Sequence, residues 1–265
     1  MARLAGILLA VITALGVTTA PAHAAVDFSG TVKLSNCSGS LVRLPASAPA
    51  DKALVLTNGH CVELMKPGQV VVGQPSDRTF ALLGGSGSQI AKLQSSTLVY
   101  ATMTGTDAAL YRLDLTYRQI EQKYGSRALE LSASRPAAKS EIRIVSGYWT
   151  KIYSCQIDDV VHQVREASWT WLDSLRYTPS CNTIGGTSGS PIIDNASGKV
   201  VGVNNTGNES GGRCTMNNPC EVDAAGQITV RKGTNYGQQT HGLVSCFGPG
   251  TELNLSLPGC QVAKP

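Results

Sequence analysis

Short runs of apolar and β-branched residues, separated by turn residues, follow one another along most of the chain. These runs lie at 31–34, 40–44, 53–57, 69–72, 79–83, 141–146, 199–203 and 227–230. Strands at this density, punctuated by Gly, Pro, Asn and Ser, predict an all-β fold built as a sandwich or a barrel.

One stretch departs from the strand pattern. Residues Tyr117–Tyr124 predict a short helix, and the polar, Ala/Ser-rich segment 132–140 that follows is typical of a linker. The sequence therefore predicts an N-terminal half over 25–131 and a C-terminal half over 141–245. A tail over 246–265, closed by a disulfide, completes the expected organisation.

The N-terminus predicts export. A cationic start at Met1–Arg3 precedes an apolar run at Leu4–Val17, and Pro21–Ala24 offers a small-x-small cleavage pattern. These features predict a signal peptide over residues 1–24, cut after Ala24. A membrane anchor is the alternative, but the run is shorter than the roughly 20 apolar residues of a span. We expect a secreted, extracellular protein that has no membrane association once the signal is removed.

Charge argues against nucleic acid as a partner. The formal net charge is only +4, and the chain has no run of Lys and Arg. Charged residues make up 15% of the sequence, below the roughly 25% of an average soluble protein. The surface must therefore rely on uncharged polar residues and glycine.

All eight cysteines follow the predicted signal peptide. An even number in an exported chain predicts disulfides, although eight cysteines permit about 105 pairings. The simplest pattern joins neighbours: Cys37–Cys61, Cys155–Cys181, Cys214–Cys220 and Cys246–Cys260. Whether Cys181 pairs with Cys155 or with Cys214 stays open. Zinc is the rival explanation, but no Cys-x-x-Cys pair occurs and the histidines are scattered. We expect no metal.

Three segments carry candidate chemistry. His60 follows an apolar strand and precedes Cys61, which can anchor its loop, as a general base requires. Asp107 stands directly before the apolar run 108–113, where a carboxylate can be buried against an imidazole. Taken singly, a turn histidine is more often structural, and a strand-end aspartate is more often solvated.

The third segment, 185–193, surrounds Ser188 with small residues. Gly186 tolerates positive φ, so the N–H groups of Gly186 and Ser188 are candidates for an oxyanion hole. Such donors contribute about 3–4 kcal/mol each to the transition state. A Gly/Ser turn ahead of a strand is the alternative interpretation.

Three motifs occur in this order: Asn58-Gly-His-Cys61, Asp107-Ala-Ala-Leu110 and Gly186-Thr-Ser-Gly-Ser-Pro191. Together they resemble the chymotrypsin-like serine peptidases, in particular the bacterial, glutamyl-endopeptidase-like branch. The order His, Asp, Ser is that of the family's triad. The resemblance spans about 30–203. It implies two packed antiparallel Greek-key β-barrels with the active site in the cleft between them, and a Cys37–Cys61 bridge beside the catalytic histidine.

The resemblance also implies a serine endopeptidase acting on proteins or peptides through His60, Asp107 and Ser188. Neither a cofactor nor a second subunit is expected. Thr187 stands where trypsin-type members have an aspartate that pairs with a newly cut N-terminus. We therefore expect activity without an inserted N-terminus.

The resemblance places the specificity pocket on either side of Ser188. Asn182 is expected at the pocket base, with Thr183 and Ile184 along one wall, and the opposite edge comprises Val203, Asn204, Asn205 and Thr206. No acidic residue stands at the base, and no histidine stands at the edge as in several glutamyl-specific relatives. A neutral polar or small substrate side chain is expected. The pair Trp169 and Trp171 either packs in the core or forms a substrate-facing wall.

The sequence leaves three alternative functions. An inactive homologue that only binds proteins would retain the same motifs. An α/β-hydrolase could use Ser188, Asp223 and His241, but Gly-x-Ser-x-Gly fails at Ser190 and no alternation of strands and helices occurs. A carbohydrate-binding module needs an aromatic array, for which 5% aromatic content offers little.

Overall fold

The structure is a computed structural model that describes Met1 and residues 27–265. The predicted cleavage site after Ala24 and the apolar run before it lie outside the described residues. In the part of the chain that is described, no helix is both long and apolar enough to cross a bilayer.

Strands dominate the described chain. They are β1 (Thr31–Lys33), β2 (Ser38–Arg43), β3 (Lys52–Thr57), β4 (Val70–Pro75), β5 (Thr79–Leu83), β6 (Gln89–Thr102), β7 (Ala108–Thr116), β8 (Leu129–Glu130), β9 (Glu141–Ser146), β10 (Lys151–Glu166), β11 (Trp169–Tyr177), β12 (Pro191–Asp194), β13 (Val200–Gly207), β14 (Cys220–Val222), β15 (Ile228–Val230) and β16 (Asn235–Gln239). The helices are α1 (Tyr117–Tyr124) and α2 (His241–Val244), and a 3₁₀ turn follows at Pro249–Thr251.

The first six-stranded barrel runs β1-β5-β6-β7-β3-β2 and closes because β2 pairs back onto β1. Strand β4 pairs with the C-terminal half of β6, and the two-residue β8 pairs in parallel with β2. Helix α1 covers one end, in the bounds that the sequence predicts. Thr116 caps it by accepting from the Gln119 backbone N–H at 3.2 Å, and Gly125 ends it at φ 65°.

The second barrel runs β11-β16-β13-β12-β9-β10 and closes through the β10–β11 hairpin. All its ring pairings are antiparallel, and the small β14–β15 hairpin extends β10 outward. The structure therefore confirms the predicted all-β, two-barrel fold. The predicted linker 132–140 lies between β8 and β9, where the chain passes from one barrel to the other.

Each barrel has its own apolar interior, and a third cluster joins them. Phe80 and Tyr111 meet edge to face in the first barrel, with ring centroids 5.2 Å apart. The joining cluster includes Leu110 from the first barrel and Val145 and Val203 from the second, all fully buried. Burying such side chains contributes about 1.5–3 kcal/mol each, which fixes the two barrels against each other and so fixes the cleft between them.

Four disulfides pair the cysteines with their nearest neighbours in sequence. The bridge Cys155–Cys181 resolves the alternative that the sequence left open for Cys181. Structural disulfides form in oxidising compartments, so four of them indicate an extracellular or periplasmic protein.

Candidate active site

A histidine and a buried aspartate lie in direct contact in the cleft. Asp107, directly before β7, is fully buried, and its Oδ2 lies 2.7 Å from His60 Nδ1. Its other oxygen, Oδ1, accepts the His60 backbone N–H at 3.1 Å. The carboxylate thus holds both the ring and the main chain of His60, which keeps the proton on Nδ1 and leaves Nε2 as the basic atom.

The loop that carries His60 is fixed from several sides. The Asn58 side chain donates to the backbone oxygen of Asp107 at 2.8 Å, which ties the two loops together. A Cβ at Gly59 would lie 2.1 Å from the Thr102 oxygen, so only glycine permits this approach. The Cys37–Cys61 bridge holds the residue that follows the histidine.

Two carboxylates set the acidity of His60. Burial alone would lower its pKa, but the charge and hydrogen bond of Asp107, together with the charge of Glu166, outweigh burial and raise the pKa above its ordinary value. The His60 side chain is 25% exposed, so the ring remains open to the cleft.

Ser188 reaches the same cleft from the second barrel. Its Oγ donates to the backbone oxygen of Asn205 at 3.1 Å, and its own carbonyl accepts from Ser38 N at 2.8 Å, across the two barrels. Gly189 follows at φ 81°, where a Cβ would lie 2.1 Å from the Ser38 oxygen. His60, Asp107 and Ser188 all line one cavity of about 190 Å³, called here the His60 cavity.

The predicted oxyanion donors lie in a turn before Ser188. Gly186 has φ 88°, and a Cβ there would lie 2.8 Å from the Tyr148 ring. The Gly185 carbonyl accepts from Trp149 Nε1 at 2.7 Å, and in a trans peptide the next N–H points the opposite way. The Gly186 N–H therefore points away from Trp149. Within residues 27–265, neither it nor the Ser188 N–H has an acceptor.

A second, smaller cavity of about 80 Å³ adjoins Ser188 on the other side and is called here the polar cavity. Five of the residues that the sequence predicts for the specificity pocket line this cavity: Thr183, Ile184, Asn204, Asn205 and Thr206.

The other two pocket residues lie elsewhere. Asn182 is exposed and borders a separate surface cavity with Asn208, and Val203 is buried in the contact between the barrels. The residue buried behind the polar cavity is instead Asn235, whose Oδ1 accepts from the Thr183 hydroxyl at 3.0 Å. No sequence motif marks Asn235, because it enters from β16, far along the chain.

Asn205 lines both cavities. Its side chain is only 4% exposed, and neither amide atom has a hydrogen-bond partner among the described residues. The Asn205 amide therefore offers one donor group and one acceptor to the cavities that it lines.

Glu166 also lines the His60 cavity, although no sequence motif marks it. It ends β10 and is 5% exposed. Trp169 and Trp171 line the same cavity and are buried, so they serve both as packing and as a wall of the cleft.

The sulfurs of Cys37 and Cys61 lie close to the His60 ring, a grouping that resembles a metal site. Both sulfurs belong to the same disulfide, and zinc requires thiolates. These three residues therefore do not form a metal-binding set while the bridge is intact.

Comparisons with known proteins show the family and the fold. Residues 37–203, more than half of the chain, match the family model of the trypsin-like peptidase domain. A search of curated proteins found no match.

Solved structures show the same fold at low identity. The MamO protease domain from Magnetospirillum magneticum in its apo form is 12% identical, with a TM-score of 0.51 over 83% of this chain and 97% of its own. The HtrA-type protease AlgWS227A with a tripeptide is 15% identical, with a TM-score of 0.50 over 83% of this chain and 59% of its own.

Proposed function

Because this chain belongs to the trypsin-like peptidase family, we propose that it is a secreted serine endopeptidase that cleaves peptide bonds through an acyl-enzyme on Ser188. The observation that carries the proposal is the convergence of Ser188 with the His60–Asp107 pair on one cavity, although these residues come from different barrels.

The chemistry follows from the hydrogen bonds of the free protein. Ser188 Oγ donates to the Asn205 carbonyl. Asn205 follows the part of β13 that pairs with β12, so a substrate backbone N–H could dock on this carbonyl. A substrate that takes this carbonyl frees the Ser188 hydroxyl to turn to His60 Nε2. Catalytic hydrogen bonds are often unformed before substrate binds.

The acylation step then needs no cofactor. His60 takes the Ser188 proton as Oγ attacks the peptide carbonyl, and Asp107 stabilises the imidazolium that forms. The N–H groups of Gly186 and Ser188 receive the developing oxyanion. His60 gives its proton to the leaving amine, and a water molecule repeats the sequence to release the acyl group.

The polar cavity indicates the side chain of the attacked residue. Thr183, Asn204 and Asn235 provide hydroxyl and amide groups around it. The exposed Glu209 also lines the cavity. The small volume and the polar lining favour a small, polar side chain.

Activation by an inserted N-terminus is not required by this site. Thr187 is buried and its hydroxyl donates to the Ile184 carbonyl, while Asn204 Nδ2 donates to that hydroxyl at 3.3 Å. These local bonds hold the turn that carries Gly186 and Ser188. We therefore expect residues 25–265 to be active once the signal peptide is removed.

A labelling and cleavage experiment tests the proposal. A fluorophosphonate probe should label the wild-type protein but not Ser188→Ala, and His60→Ala should react very slowly. Ser96→Ala removes an exposed serine on β6 and serves as the matched control. Peptide-library cleavage, read by mass spectrometry, provides the preference. A folded wild-type protein that neither labels nor cleaves would favour the binding homologue.

Asp107→Asn adds a second arm to this experiment. With the wrong histidine tautomer, kcat should fall by about 10⁴-fold while the fold persists. Export is tested separately by N-terminal sequencing of the mature protein, for which the expected first residue is Ala25.

A further inference from the structure

Glu166 presents a buried carboxylate to the His60 cavity that the proposed mechanism does not use. Its Oε2 accepts from the Thr206 hydroxyl at 2.6 Å, and its Oε1 accepts from the Asn217 backbone N–H at 2.7 Å. These two bonds fix the carboxylate group at the wall of the cavity, and each oxygen keeps a lone pair for another donor.

The charges around this cavity are unbalanced. Its lining contains two carboxylates, Asp107 and Glu166, and one titratable cation, His60. Asp107 is already paired with the imidazole, whereas no salt bridge reaches Glu166 within residues 27–265. Since burying a carboxylate without a cation is unfavourable, a positive group entering the cavity would be stabilised there.

The walls of the cavity suit a long aliphatic stem. Trp169 and Trp171 direct their indole N–H groups to the backbone oxygens of Met65 and Met103, at 2.8 and 3.1 Å, so their rings are fixed. Met103 and Met216 add flexible apolar surface. Aromatic and thioether walls that end in a carboxylate match the stem and charged head of Lys or Arg.

The position of the cavity relates it to the substrate backbone. The polar cavity and the His60 cavity share four lining residues, Ser188, Asn205, Thr206 and Asn217. Successive side chains of an extended peptide point to opposite sides. A peptide that pairs with residues 205–207, the end of β13 beyond its pairing with β12, would therefore place one side chain in the polar cavity and its neighbour in the His60 cavity.

We propose that the His60 cavity is a subsite for a positively charged substrate side chain and that Glu166 is the residue that selects it. The selected residue is the one directly N-terminal to the residue whose carbonyl is attacked. This proposal rests on the proposed peptidase function and adds a preference for peptides with Lys or Arg at that position.

The first test uses only the wild-type protein. Peptides identical except at the selected position carry Lys, norleucine, acetyl-lysine or Glu, and kcat/KM is measured for each. Norleucine keeps the aliphatic stem without the charge. We expect Lys to exceed norleucine by about 10-fold to 100-fold, the range for a hydrogen bond to a charged group, and Glu to be the poorest.

The second test uses Glu166→Gln, which loses the charge. Its amide oxygen can still accept from the Asn217 N–H, while its NH2 group can donate to the Thr206 hydroxyl oxygen. Glu63→Gln is the matched control, since Glu63 is exposed on the loop after His60 and does not line the cavity. The Lys-to-norleucine ratio should fall to about one in Glu166→Gln and stay at the wild-type value in Glu63→Gln. A role of Glu166 through His60 alone would instead change all substrates by the same factor.

The outcomes separate the two proposals. Cleavage and Ser188 labelling without a Lys or Arg preference would overturn the subsite and leave the peptidase function intact. A preference that survives in Glu166→Gln would also overturn it. A folded protein that neither labels nor cleaves would overturn both proposals together.

Discussion

The Ser188 hydroxyl donates to the backbone carbonyl of Asn205 at 3.1 Å, and Asn205 lines both the polar cavity and the His60 cavity. The nucleophile of the free protein is thus held by the same strand edge that a substrate backbone would use. Substrate binding and release of the hydroxyl are therefore expected to be coupled.

This coupling predicts an effect of backbone methylation in the substrate. A peptide N-methylated at the residue whose carbonyl is attacked has no N–H for the Asn205 carbonyl, so it cannot displace the Ser188 hydroxyl. We expect kcat/KM to fall by about 10-fold to 100-fold, the equivalent of about 1–3 kcal/mol for a lost buried hydrogen bond. The same methylation on the leaving-group side, two residues beyond the scissile bond, is the control and should have a smaller effect.

A second prediction concerns pH. His60 must be neutral to accept the Ser188 proton, and the two facing carboxylates, Asp107 and Glu166, raise its pKa. The acid limb of kcat/KM should therefore have its midpoint above the ordinary histidine value of about 6.5, with activity lost as pH falls through it.

The variant Glu166→Gln separates the contribution of Glu166 to this profile. Removing its negative charge should move the acid limb to lower pH, measured with the norleucine peptide so that the subsite does not interfere. An unchanged midpoint in a folded Glu166→Gln protein would contradict the electrostatic link between Glu166 and His60.

The parts of the site that the sequence predicts are those with local signatures. His60 and Ser188 sit in short motifs whose flanking Gly and Cys residues have direct structural reasons, such as the close approach at Gly59 and the positive φ at Gly189. The bounds of β5, β9 and α1 also follow from local patterns.

The parts that escape prediction depend on distant segments. Glu166 ends the sixteen-residue β10, in which alternation is interrupted by polar residues on both faces. Its place in the site depends on two contacts from distant segments. Strand β13 brings Thr206 to the carboxylate, and the loop closed by Cys214–Cys220 brings Asn217. Asn235 likewise acquires its position from the pairing of β16 with β13.

The disulfide beside His60 gives a third prediction. The Cys37–Cys61 bridge closes 24 residues and the Cys214–Cys220 bridge only 6. Loop-closure entropy assigns them about 3.4 and about 2.2 kcal/mol, respectively. Replacing Cys37 and Cys61 by alanine should lower Tm by about 7–14 °C at about 2–4 °C per kcal/mol, and it should lower kcat as well because the His60 loop loses its anchor.

The matched replacement of Cys214 and Cys220 should lower Tm less. It should change the substrate preference at the His60 cavity, because Met216 and Asn217 line that cavity and lie in the loop that this bridge closes. Calorimetry and the peptide series measure both effects. An equal loss of kcat in the two double variants would contradict a specific role for the Cys37–Cys61 bridge in positioning His60.

The last prediction concerns the glycine after the nucleophile. Gly189 adopts φ 81°, and a Cβ there would lie 2.1 Å from the Ser38 oxygen and 2.2 Å from Thr57 Oγ1, both of which belong to the opposite barrel. Thr57 Oγ1 itself donates to the Ser38 oxygen at 2.8 Å, so neither atom has free space to retreat. Gly189→Ala should therefore lower the free energy of unfolding by at least about 2 kcal/mol, from strain and overpacking together, and should displace Ser188 enough to abolish fluorophosphonate labelling. Gly242→Ala is the control, since a Cβ at Gly242 meets no atom within 4 Å and its φ is not in the left-handed region. A Gly189→Ala protein with wild-type labelling and stability would show that the two barrels are free to separate at this contact, contrary to the rigid cleft on which the proposed mechanism depends.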